Sequence, residues 1–230
     1  MKQKTTSPIR KSRNTQREKL LWMTQFAILL ALEAIVCFTP LGSLPIGTIS
    51  ATLSHIPVII AAMLLGPAAG ALMGFFFGLF SCLVWTFMPS VPVVAFVFTP
   101  FYSLGTVSGS AWSLVICFVP RILLGLCAAL LFRALYRLIA GKGTAVLRLG
   151  AYTLSAVLAS LLHTLLVLGG IYLFFGESYA AALGISFPLL LGALGSVIVT
   201  NGLLEAGLAA LVGYGVCAPL HKYLFKQKIQ

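Results

Sequence analysis

Aspartate is missing altogether, and four glutamates, at 18, 33, 177 and 205, are the only acidic residues in 230. Metal-dependent phosphoryl or alcohol transfer inside a membrane needs clustered carboxylates to hold magnesium, and this chain has none to spare. It contains no HExxH, no GxxxxGK[ST] and no GxSxG, which removes the intramembrane zinc protease, the phosphate-cradling loop and the nucleophile elbow. Without a nucleotide site, uphill transport would need a motor in another chain. A serine–histidine dyad using His55 or His163 is the enzymatic reading that survives. The five cysteines, at 37, 82, 117, 127 and 217, sit in apolar runs without paired metal spacing. They read as small buried hydrophobes, and neither a metal nor a cofactor is expected.

Charge of either sign is scarce, at 8% of residues, whereas 60% are hydrophobic. That balance describes a polytopic membrane protein, since no soluble core needs so much apolar sequence. The net charge of +11 would suggest nucleic acid in a soluble chain, but here its distribution carries the information. Seven basic residues precede the first apolar run, Arg133, Arg137, Lys142 and Arg148 flank one internal loop, and Lys222, Lys226 and Lys228 end the chain. Placing all three clusters on the cytoplasmic side obeys the positive-inside rule, so both termini are expected inside and no nucleic acid is implied. The lipid bilayer is the partner that composition names.

Six spans fit, at about 20–39, 55–67, 68–88, 112–137, 147–175 and 189–219. The expected organisation is a basic, disordered tail over 1–19, a six-helix membrane domain over 20–220, and a second basic tail over 221–230. The outer connections become Pro40–Ser54, Pro89–Ala111 and Gly176–Pro188, with Glu177 their single charge. Apolar, proline-rich loops such as MPSVPVVAFVFTPFYSLGTVSGSA are either lids folded over the bundle, with Phe96 and Phe101 facing something enclosed, or interfacial aromatic belts. The final stretch exceeds one straight crossing, and Pro188, Gly192 and Gly195 offer places to break it.

Glycines at 66, 70, 74 and 78 form one stripe along the second and third spans, built to pack closely against another helix or against a partner. Gly66-Pro67 makes an almost loopless corner, because proline at a helix opening has no N–H to waste. Polar residues inside spans are costly and default to functional candidates: Glu33, His55, Arg121, His163, Asn201 and Glu205. Asn201 and Glu205 are four apart and share a helix face. Arg121 is the one basic residue outside the clusters, and its guanidinium calls for a carboxylate from Glu33, from Glu205 or from a ligand. Each histidine reads either as a structural hydrogen-bonding group or as a ligand contact.

Taken in order, the basic tail, Ala27-Ile-Leu-Leu-Ala31, the run from His55-Ile-Pro-Val to Leu65-Gly66-Pro67, Pro120-Arg121 and Asn201-Gly-Leu-Leu-Glu205-Ala resemble the substrate-binding S component of an energy-coupling factor (ECF) vitamin transporter. The resemblance implies an all-α, six-helix membrane bundle in a bacterial plasma membrane, with both termini cytoplasmic. It implies a receptor that captures a water-soluble vitamin from outside, in a pocket lined by His55, Phe96, Phe101, Arg121, His163, Asn201 and Glu205. Ala27 and Ala31 match the small-residue motif by which such proteins dock onto a transmembrane coupling subunit driven by two cytoplasmic ATPases. The His55 segment and Pro120-Arg121 most resemble pantothenate-specific members, with riboflavin and α-ribazole as alternatives. An autonomous carrier and an enzyme using His55 or His163 are the readings of another class.

Overall fold

An apolar chain crossing a bilayer must close its backbone hydrogen bonds within itself, and helices do that. The computed structural model describes residues 8–42, 44–46, 49–105, 107–140 and 145–220. Helix α1 spans Pro8–Phe38, α2 His55–Leu65, α3 Pro67–Phe87, α4 Ala111–Ala140 and α5 Ala145–Ala182. Helix α6 runs over Phe187–Leu220. Two small antiparallel hairpins sit in the connections, β1 (Leu44–Ile46) with β2 (Ile49–Ala51), and β3 (Ser103–Leu104) with β4 (Val107–Ser108). Among the described residues, all of these helices except α2 contain a stretch long and apolar enough to cross a membrane. Helix α2 has 11 residues, about 16 Å, roughly half the hydrocarbon core.

Three sequence expectations need correction. Helix α1 begins at Pro8, so residues 8–19 continue the first helix instead of forming a disordered tail. Residues 1–7, the centre of the basic loop at 141–144 and the tail at 221–230 lie outside the described residues. Helix α5 continues through the supposed outer loop to Ala182, because Ser178 to Ala182 offers helix-favouring alanines and no breaker. It stops where Gly184 takes φ +70°, with Ile185 N–H donating to Ala180 O and Gly184 N–H to Ala181 O, both at 3.0 Å. That is a Schellman stop, which glycine permits. The last apolar stretch does not break at Gly192 or Gly195. Pro188 falls in the first turn of the helix, where it is harmless, and π turns at Ile198–Gly202 and Gly213–Cys217 interrupt the regular helix without ending it.

The glycine stripe faces inward. A Cβ on Gly70 would collide with Gly125 O, one on Gly74 with Arg121 O, and one on Gly78 would come 2.9 Å from Phe118. Helices α3 and α4 thus touch backbone to backbone, and the stripe is not available to a partner. Gly66 turns the corner with φ +98°, and a Cβ there would lie 2.9 Å from Arg133 Nη2, so the corner and the basic end of α4 share one end of the bundle. Gly125→Val is expected to cost about 3 kcal/mol or to prevent folding, since neither backbone can give way. Thermal unfolding in detergent measures this, with Gly169→Ala, which meets nothing within 4 Å, expected to melt as wild type.

Buried apolar side chains form two groups. One joins α1 to α5 through Phe26, Val58, Ile59, Met73, Phe77 and Leu124. The other gathers Phe96, Val97 and Phe98 from the Pro89–Ala111 connection onto Ile116, Ile171, Phe175 and Leu190. Residues 94–99 of that connection are all buried, so it folds over the bundle as a lid and not as an interfacial belt.

Candidate functional site

Because α2 is only half a span, its first residue, His55, begins well below the bundle's end, and the chain from Phe38 must descend to meet it. Irregular backbone at membrane depth survives only where protein buries it or where it lines a cavity. Here Thr52 delivers both its N–H, at 3.2 Å, and its hydroxyl to Glu205 Oε1. Thr164 of α5 donates to Glu205 Oε2 at 3.3 Å. Glu205 follows directly on the π turn that contains Asn201, an irregularity common at functional sites. Three distant segments therefore converge on one buried carboxylate. Ser54 hydroxyl donates to Gly42 O at 3.3 Å and closes the descending loop on itself.

Arg121 stands at the seam between the two apolar groups. Its guanidinium carbon lies 5.5 Å from the centre of the Phe77 ring and 5.3 Å from that of Phe98, and Nη1 donates to Ile116 O at 2.6 Å. Phe98 in turn stacks on Trp85, 4.7 Å between centroids. Although Arg121 is only 5% exposed, neither glutamate forms an ion pair with it among the described residues. This corrects the expectation that Glu33 or Glu205 might neutralise it. Glu205 is occupied by two threonines, and Glu33 Oε1 accepts from Cys37 Sγ at 3.2 Å. Aromatic faces offset part of the buried charge but supply no counter-charge.

Several buried polar atoms of the bundle are short of partners. Glu33 Oε2, both ring nitrogens of His55, Arg121 Nε, Ser160 Oγ and His163 Nε2 are buried without a hydrogen bond. They come from α1, α2, α4 and α5. His163 packs 6.1 Å from Phe77 and lies within electrostatic reach of Arg121 and His55, as does His55 of Glu205. Buried polar atoms without partners are rare, and a concentration of them asks for something to complete it. A fixed cation between aromatic walls, with an imidazole within electrostatic reach, can bind the carboxylate of a small molecule. Among the described residues, no three histidine, cysteine or acidic side chains gather as metal ligands do.

The structure brings together His55, Arg121, His163 and Glu205. Phe96 is fully buried but belongs to the apolar lid core, edge-on to Phe175 at 5.7 Å, with its carbonyl accepting from Ser113 at 2.7 Å. Phe101, expected to line the pocket, is 78% exposed and stands apart from the cluster, and the ring of that connection that faces Arg121 is Phe98. Asn201 is half-buried in the π turn. Thr52, Phe77, Ser160 and Thr164 escaped the sequence reading, because threonine, serine and phenylalanine inside apolar runs carry no signal of their own. Ala27 and Ala31 lie on an exposed face of α1 with Leu20, Ile28, Ile35 and Phe38.

The sequence profile of the family described as "ECF transporter, substrate-specific component" matches residues 22–217. The "Pantothenic acid transporter PanT" of Lactococcus lactis subsp. cremoris (strain MG1363) is 37% identical over 172 residues, covering 74% of this chain and 78% of that protein. A profile match that takes in all of α2 to α5, together with apolar membrane-crossing helices, is decisive. This chain belongs to the family of substrate-specific components of ECF transporters: it is a multi-pass plasma-membrane transporter component and not an enzyme.

Proposed function

We propose that the protein is the high-affinity receptor of an ATP-driven vitamin importer and that its substrate is pantothenate. The observation that carries this reading is the buried Arg121 guanidinium, which has aromatic walls and forms no ion pair with a protein carboxylate. A ligand carboxylate would supply the missing charge. The resemblance to a pantothenic acid transporter supports the same vitamin over riboflavin and α-ribazole. The basic clusters at the two ends of the chain and beside α4 support six membrane passes with cytoplasmic termini, α2 completing its pass through the descending loop. Energy comes from partners: a transmembrane coupling subunit that meets α1 at Ala27 and Ala31, and two cytoplasmic ATPases.

Native mass spectrometry of the purified chain, offered equimolar pantothenate, riboflavin and α-ribazole, tests the substrate. A single pantothenate adduct at 1:1 is expected, with sub-micromolar affinity, about −8 kcal/mol or better. An adduct of either other vitamin in its place refutes the assignment. Chemical turnover of a bound substrate that His163→Ala abolishes would restore the enzyme reading.

A further inference from the structure

Two carboxylates are buried in this bundle, and their surroundings differ. Glu205 has both oxygens engaged by threonines. Glu33, on α1, is 0% exposed; one oxygen accepts from Cys37 and the other, Oε2, accepts from nothing. A carboxyl oxygen enclosed in apolar surroundings is costly until a donor reaches it, and the neighbouring residues offer none. Yet Glu33 is not remote from the site. Cys37, one turn further along α1, lies beside Ser54 and within electrostatic reach of Arg121, and Ser54 immediately precedes His55. Cys37 thus links Glu33 on α1 to the surroundings of Arg121 on α4, with no ion pair between the two.

A ligand that pairs its carboxylate with Arg121 still has to meet Glu33 with something. A second carboxylate would bring Oε2 no donor, and a methyl group would leave it equally unsatisfied. A hydroxyl at the far end of the ligand would satisfy it. We infer that Glu33 is a specificity-determining acceptor for a ligand hydroxyl, and that the site therefore selects carboxylates carrying one at their far end. This deepens the binding-site reading above and rests on it. The class includes pantothenate, with its hydroxyls, and excludes plain aliphatic acids. The physical lever is that a site built around a polar group rejects the analogue lacking it far more strongly than an apolar pocket rejects a missing methylene.

Calorimetric titration with pantothenate and with its analogue lacking both hydroxyls separates the possibilities. Wild type is expected to prefer pantothenate at least tenfold. Glu33→Leu, which removes the acceptor at similar volume, is expected to bring that ratio near one, and Glu33→Gln, which keeps one acceptor oxygen, to leave it intermediate. A ratio in Glu33→Leu equal to wild type overturns the inference, as does wild type that binds both compounds equally. Should Glu33→Leu not fold, Glu33→Gln decides: a ratio reduced at least threefold supports the role, and an unchanged ratio refutes it. Wild type that binds no carboxylate vitamin sinks the underlying site reading instead, a result distinct from a Glu33 variant that binds pantothenate and still discriminates.

Discussion

Arg121→Met is expected to weaken binding of pantothenate about thirtyfold, roughly 2 kcal/mol, while leaving the melting temperature of the ligand-free protein unchanged or higher. The two halves of that result have one cause. Arg121 is buried, its Nε is unpartnered, and the structure gives it carbonyl and aromatic company but no ion pair, with Glu205 acting on it only from a distance. Removing one member of a buried ion pair normally destabilises by several kcal/mol, because the other charge is left behind. Here Glu205 keeps its threonine donors when Arg121 is removed, so the main loss falls on the ligand. Calorimetry and thermal unfolding on the same preparations read both quantities. A fall in ligand-free stability of about 3 kcal/mol with unchanged affinity would show that Arg121 braces the bundle and does not hold substrate. Phe101→Ala is the natural comparison: its ring is exposed, and its removal should leave affinity within about twofold of wild type, which is about 0.4 kcal/mol.

Ala27→Trp and Ala31→Trp should each abolish uptake in cells that contain the coupling subunit and ATPases, with pantothenate affinity of the isolated chain unchanged. Both alanines lie on the open face of α1, whereas Phe26, Glu33 and Cys37 on the same helix are buried. A tryptophan added there projects away from the site and holds a partner helix off by the width of its ring. Leu165→Trp on the exposed side of α5 supplies the control, since bulk facing lipid elsewhere should cost neither binding nor uptake. Equal loss of uptake and affinity in the alanine variants would refute a docking role for this stripe. Uptake intact in both would do so too.

His55, Arg121, His163 and Glu205 were recognisable because a polar side chain inside an apolar run is expensive wherever the helix points. Phe98 and Phe101 looked alike, both aromatic in one proline-rich loop, and the fold buried the first against Arg121 and left the second outside. Thr52 looked like an ordinary loop residue until the descending chain placed it on Glu205. The Gly66–Gly78 stripe announced close packing and was silent about its partner. Only the backbone contact with Gly125 and Arg121 named α4.

By itself, the sequence determined that the chain is a helical membrane protein and which residues are too polar to be idle. Those properties follow from transfer free energies, which each residue carries with it regardless of its neighbours. The tertiary structure alone decided that Arg121 forms no ion pair with either buried glutamate, that Glu33 keeps one oxygen without a partner, and that Ala27 and Ala31 face outward while the glycines face in. Pairing of this kind depends on which helix faces meet across the bundle, and the rotation of a nearly uniformly apolar helix is set by packing against its neighbours, not by any pattern along its own length.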